Sequence, residues 1–187
     1  MGALVLQSAT EFTPAIANRT LADWAGEEIV DVSVAALGEG VGLMSSIARA
    51  ELTLASGAMR SVIVKVIAQT ENVGISKELN FYSNEVNFYR HLADQCPVPV
   101  PACLFVDIDP ETQDFLLILE DMGDAAAGDQ IAGCDAALME QAFVRAGQLH
   151  GRFWDKTAQF DWLRYQNVPE LNQFRRDAIF RPGVAPT

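Results

Sequence analysis

The stretch Ile29 to Leu37 is rich in valine and alternates loosely. From Ile47 to Leu54, the small and apolar Ala48, Ala50, Leu52 and Leu54 alternate with Arg49, Glu51 and Thr53. A period of two is that of a half-buried strand. Ala55-Ser56-Gly57-Ala58 reads as a turn, and Ser61 to Ile67 as a nearly continuous apolar strand broken by one charge, Lys65. Leu104 to Ile108 and Phe115 to Leu119 are two more apolar strands, and Asp109-Pro110-Glu111-Thr112 between them predicts a hairpin.

Elsewhere the period is helical. Thr20-Leu21-Ala22-Asp23-Trp24 predicts the start of a short leading helix with Thr20 as its cap, after a stretch from Met1 to Pro14 with little periodic signal. From Ser76 to Asp94 the spacing predicts one helix, whose stripe of Phe81, Phe88 and Leu92 reads as packing and also carries Glu85. Cys96-Pro97-Val98-Pro99-Val100-Pro101 ends it and forces extended backbone. Glu120-Asp121-Met122-Gly123 breaks the last apolar run, and a Gly/Ala-rich linker leads to Cys134. Asp135 is placed to cap a helix that presents Leu138, Ala142, Ala146, Leu149 and Phe153 and runs to about Trp154, with Phe153 and Trp154 read as core and His150 as a helix residue. Phe160 to Thr187 reads as irregular apart from one helical segment at Leu171 to Phe180. The predicted organisation is a leading segment over 1–28, a sheet-bearing lobe over 29–122, and a linker with the start of a further, incomplete lobe over 123–187.

Between the first two strands lies Leu37-Gly38-Glu39-Gly40-Val41-Gly42. Alternating glycines let backbone N–H groups approach an anion that side chains would hold off, and a phosphate is the obvious anion. A dinucleotide loop would be followed by a helix and would carry its third glycine at position 43, where this chain has Leu43. No Gly-Lys-Ser/Thr follows, so the loop is not a Walker A loop either. Strand, glycine loop, strand remains. Lys65 shares a strand face with Ile63 and Ile67, so its ammonium either snorkels to an edge or meets a partner. Glu85, on the apolar stripe of the next element, is the candidate partner.

Composition narrows the partners. Half the residues are hydrophobic, as in a globular protein, and 187 residues suffice for a substantial core. A net charge of -12 with 13 Lys+Arg argues against nucleic acid or an anionic membrane as partner. Cys96, Cys103 and Cys134 form neither a Cys-x-x-Cys pair nor a disulfide framework, which fits a reducing cytoplasm, and His91 and His150 stand apart from them. No apolar run is long enough to cross a bilayer, and Met1 to Thr13 lacks the features of a signal peptide.

In order and spacing these parts resemble the small lobe of the protein-kinase-like fold, in its aminoglycoside phosphotransferase, choline kinase and ecdysteroid-kinase-like branch. The resemblance covers about residues 20 to 155 and rests on five pieces. They are the glycine loop, Val64-Lys65-Val66, Asn84-Glu85-Val86-Asn87-Phe88-Tyr89, Leu117-Ile118-Leu119-Glu120-Asp121-Met122 and Leu149-His150-Gly151-Arg152-Phe153-Trp154. It implies an α+β fold, an antiparallel five-stranded sheet with one main helix, followed by the first helices of a truncated second lobe. It also implies that Gly38, Gly40 and Gly42 cover the phosphates of ATP, and that Lys65, held by Glu85, contacts the α and β phosphates. Glu120 to Met122 would form the hinge, with the Glu120 carbonyl and the Met122 N–H on the adenine edge.

One part of the family pattern is missing. Such enzymes carry a His-Gly-Asp or His-Arg-Asp loop with an Asn five residues after the Asp, and a later Asp for Mg2+. His150-Gly151-Arg152 has Arg where the base belongs, Asp155 is followed five residues on by Phe160, and Asp107-Ile108-Asp109 falls before the hinge. The resemblance therefore implies an ATP-binding portion without its catalytic loop, inactive alone, in which Mg2+ and the hydroxyl substrate belong to an intact enzyme. A rival expectation is a non-catalytic module that docks a partner, exposes apolar surface and self-associates.

Overall fold

The computed structural model describes residues 2–37, 44–70, 73–123, 125, 128–129 and 131–163. The chain divides into two compact units, Met1–Trp154 and Asp155–Thr187.

The first unit is α+β, built on a five-stranded sheet. Its strands are β1 (Ile29–Ala36), β2 (Ser45–Leu54), β3 (Met59–Ile67), β4 (Cys103–Ile108) and β5 (Phe115–Glu120). They lie in the order β1-β2-β3-β5-β4, every neighbouring pair antiparallel. The alternation read from the sequence is the burial pattern of β2, where Ala48, Ala50, Leu52 and Leu54 are buried. After β3 the chain passes through two helices, α2 (Val73–Glu78) and α3 (Phe81–His91), and returns as the edge strand β4. The hairpin to β5 is closed by the Asp109 N–H donating to Asp114 O at 2.8 Å, and β5 then lies between β4 and β3.

Both faces of the sheet carry apolar residues, and each has its own cover. On one face Ala48, Leu52, Val62, Val64, Val66 and Ile118 pack with Leu6, Phe12, Ala17 and Leu21. Those last four belong to the leading segment and to helix α1 (Pro14–Ala25). Through Leu6, Ala9 and Phe12 the leading segment is thus part of the core despite its lack of periodicity. Phe12 fills the sheet face, and the Leu4 N–H donates to Asp107 Oδ2 at 2.9 Å.

Helix α1 begins at Pro14 rather than Thr20. Proline at the first helical position needs no N–H partner and has its φ pre-set. Thr20 lies inside the helix and donates its hydroxyl to Ile16 O at 2.9 Å. Gly26, at φ 75, ends the helix. Asn18 then ties it to β1, donating to Ile29 O at 2.7 Å and accepting from the Ile29 N–H at 2.9 Å.

On the other face Ile67, Phe115, Leu117 and Leu119 pack with Tyr82 and Val86 of α3. The single helix expected over Ser76 to Asp94 is broken by Asn80 in the left-handed region at φ 56. Its buried side is also rotated from the expected stripe. Tyr82 and Val86 are fully buried and Leu92 is buried at the end, whereas Phe81 and Phe88 are half-buried.

Helix α4 (Ala136–Phe153) is capped as expected, Asp135 Oδ1 accepting from the Leu138 N–H at 2.7 Å. No residue of α4 is buried. Phe153 is half-buried and Trp154 is 73% exposed, so neither is core. Apolar spacing marks which side of a helix is apolar, but not whether anything covers it.

In the second unit, Thr157–Gln159 forms a 3-10 turn and the Phe160 and Trp162 rings lie 5.9 Å apart. The segment Leu171 to Phe180, expected to be helical, lies outside the described residues.

Candidate functional site

Lys65 and Glu85 meet. Val64 and Val66 are fully buried on one face of β3, so strand alternation turns Lys65 to the other face, beneath α3. Glu85 lies between Tyr82 and Val86 on the helix, and burial of those two carries its carboxylate to the sheet. Lys65 Nζ donates to Glu85 Oε1 at 2.5 Å and to Oε2 at 2.8 Å. The side chains are 18% and 30% exposed, so the pair is sheltered but reachable from solvent. An ammonium has three donors, and two are directed at Glu85.

Two tyrosines lie on α3, one before and one after Glu85. The Tyr82 hydroxyl donates to Met44 O at 2.5 Å, and the Ala68 N–H donates to the same carbonyl at 3.3 Å. The helix bearing Glu85 is thereby tied to the chain just after the glycine loop. Burial pushes the Tyr82 phenol above its ordinary pKa. It does the same to Tyr89, one turn beyond Glu85, with the Glu85 charge adding to the effect.

Beyond Lys65 the same sheet face is open. Ile47 stands opposite Lys65 and Arg49 opposite Ile63, while Ser33, Ala35 and Glu51 on β1 and β2 are exposed. At the far end of this surface is Glu120-Asp121-Met122. The Glu120 N–H donates to Ala102 O at 2.9 Å, and Glu120 Oε2 accepts from the Ala102 N–H at 3.2 Å. Met122 is half exposed, and its carbonyl accepts from the Ala125 N–H at 2.6 Å.

The side chain of Asp121, to which the sequence assigns no role, makes the firmest contact in this segment. Arg49 Nε donates to Asp121 Oδ2 at 2.7 Å and Nη2 to Oδ1 at 3.1 Å, a two-point bond to a carboxylate that is 7% exposed. Burial opposes the charge of Asp121, but hydrogen bonds from Arg49 and Ser61 and the Arg49 charge outweigh it and hold the carboxyl below its ordinary pKa. Only the register of β2, β3 and β5 brings these residues together. The one sequence signal was an arginine on the polar side of a strand and an aspartate just past another.

Of the residues expected to touch nucleotide, Lys65 and Glu85 form an ion pair, Glu120 ends β5 and Met122 lies two residues beyond it. Gly38, Gly40 and Gly42 lie outside the described residues, as does Leu43. Asp107 and Asp109 are engaged elsewhere. Asp107 accepts from Arg90 and Leu4, and Asp109 accepts from the Glu111 and Thr112 N–H groups in its own turn. Among the described residues no group of three His, Cys, Asp or Glu side chains converges, so no residue is assigned to Mg2+. His150 is an exposed residue of α4. Comparison with protein-family models, curated proteins and solved structures finds no match to this chain.

Proposed function

We propose that the chain is the ATP-binding portion of a small-molecule phosphotransferase of protein-kinase-like fold, whose intact form moves the γ-phosphate of ATP to a substrate hydroxyl. The observation that carries this reading is the Lys65–Glu85 pair, joining the third strand of an antiparallel sheet to the helix packed on it. In phosphotransferases of this fold the same two residue types, on a strand and a helix so related, hold the nucleotide's phosphates.

The donor set fits ATP. A lysine fixed by a carboxylate offers a cation to phosphate oxygens at a defined, sheltered point. On the resemblance, the end of β5 would supply backbone groups for the base, and the glycine-rich sequence at 38–42 would supply N–H groups for the phosphates. ATP supplies the group to be transferred, and this chain's residues bind and orient it. Its 187 residues contain no His-Gly-Asp or His-Arg-Asp loop, so no acceptor-activating base is assigned.

The test is incubation with labelled ATP and candidate alcohols, alongside direct measurement of nucleotide binding. Binding that weakens in Lys65→Met, without phosphoryl transfer, is the expected result. Lys65-dependent transfer would reveal a base in this chain, and equal binding by wild type and Lys65→Met would remove Lys65 from the site.

A second reading, a non-catalytic docking module, is favoured by α4. Leu138, Met139, Phe143 and Val144 are all exposed on it, which is a large apolar exposure for one helix. Sedimentation with and without ATP separates the two readings. Self-association indifferent to nucleotide favours the module.

A further inference from the structure

We propose that the Tyr82 hydroxyl is a positioning group for the Lys65–Glu85 pair, fixing the roll of α3 on the sheet so that Glu85 meets Lys65. Its effect on ATP rests on the nucleotide-binding reading above, whereas its effect on the pair does not.

Three observations lead there. First, the hydroxyl joins separate parts of the chain around α3. It donates to Met44 O at 2.5 Å, just before β2, and it takes a hydrogen bond from the side chain of Ser76, which is fully buried on α2. The Met44 carbonyl also accepts from the Ala68 N–H at 3.3 Å, one residue past the end of β3. Second, Tyr82 and Glu85 share one side of the helix, and Ile67 and Lys65 share one side of β3. Tyr82 packs in one cluster with Ile67 while Glu85 pairs with Lys65, so a roll of α3 that breaks one contact also moves the other. Third, the N-terminal end of α3 has little else to hold it. Asn80, at φ 56, makes no side-chain cap there, and the Ser83 hydroxyl reaches Gln113 only at 3.5 Å. At the far end, Arg90 Nη2 donates to Asp107 Oδ1 at 3.0 Å.

The ring has a separate role. It stacks on Phe115 with centroids 5.3 Å apart, so Tyr82→Phe removes the hydrogen bonds and keeps the packing.

A merely structural hydroxyl would change stability and leave the pair alone, and that difference supplies the test. In the full chain without nucleotide, 15N NMR reads the exchange of the Lys65 ammonium protons with water. Titration with ATP and with adenosine then gives both affinities. Wild type, Tyr82→Phe, Glu85→Gln, the double variant and Phe115→Leu are compared, the last disturbing the same packing while leaving the hydroxyl. Tyr82→Phe should quicken the Lys65 exchange several-fold and weaken ATP about fivefold, the size expected of one hydrogen bond, with adenosine unchanged. In the Glu85→Gln background it should change ATP affinity by less than about twofold, because the pair through which it acts is already broken. Phe115→Leu should lower the urea midpoint without either effect. Ser76→Ala, which removes a partner of the hydroxyl, gives the same readouts should Tyr82→Phe not fold. Unchanged Lys65 exchange in Tyr82→Phe, or an equal change in Phe115→Leu, would overturn the positioning role, as would an equal loss of ATP affinity in both backgrounds. If the exchange quickens as expected but wild type binds no ATP, the positioning role stands and the nucleotide reading fails.

Discussion

At the scale of residues, the chemistry is concentrated in two charge pairs on one face of the sheet, Lys65–Glu85 and Arg49–Asp121. Neither pair is fully exposed or fully buried, so each lies between the small value of a surface pair and the large cost of an orphaned buried charge. Glu85→Gln should cost about 1–2 kcal/mol of stability in denaturant unfolding, because it leaves the Lys65 ammonium without its counter-charge. Acid should weaken the fold through Asp114 and Asp121. Burial acts against both charges, but Gln7 and Lys77 around Asp114, and Arg49 and Ser61 around Asp121, hold the two carboxyls below their ordinary pKa. A folded pKa below the unfolded one means that the unfolded chain binds more protons as pH falls. The stability these groups contribute is present above about pH 4 and is lost as pH drops through their lower folded values. Urea midpoints measured from pH 6 downward should fall more steeply for wild type than for Asp121→Asn. Tyr82, Tyr89 and Cys103 act at the other end, since burial raises all three. Their contribution is complete below their unfolded pKa values and is lost as alkali takes pH past the folded ones.

At the scale of elements, the leading segment and α4 make opposite predictions. Phe12 is fully buried against the sheet, so Phe12→Ala should cost about 3–5 kcal/mol, read as a shift of the unfolding midpoint. Phe143, 71% exposed on α4, should tolerate Phe143→Ser to within about 0.5 kcal/mol. The same apolar character thus has different consequences in the two places. The strands were legible in the sequence because a period of two, with Ala48 to Leu54 as the clearest case, is also the pattern of burial. The pairing of Lys65 with Glu85 was legible because each is a charge among apolar neighbours. Three features were not legible for local reasons. Asn80 breaks a helix through one residue's positive φ, Pro14 starts a helix six residues before Thr20, and Leu6, Ala9 and Phe12 pack without any period. The Arg49–Asp121 contact was hidden for a different reason, since it exists only once the strands are in register.

At the scale of the whole molecule, the net charge of -12 makes the surface as a whole repel anions, so a nucleotide bound as proposed would have to be held by local cations and backbone N–H groups against that field. Binding should therefore strengthen modestly with added salt, which screens the long-range repulsion more than the sheltered Lys65–Glu85 contact. Among the described residues no helix is long and apolar enough to cross a membrane. In the first unit the sheet is packed on both faces except where β1 and β2 leave one face open beside Lys65. The most direct measurement is an ATP titration of the 15N-labelled full chain, wild type beside Lys65→Met. Saturable shifts at Lys65, Glu85 and Met122 in wild type, weakened at least about tenfold in the variant, are the predicted result. No saturation up to about 10 mM ATP, or equal affinity in the two proteins, would contradict it.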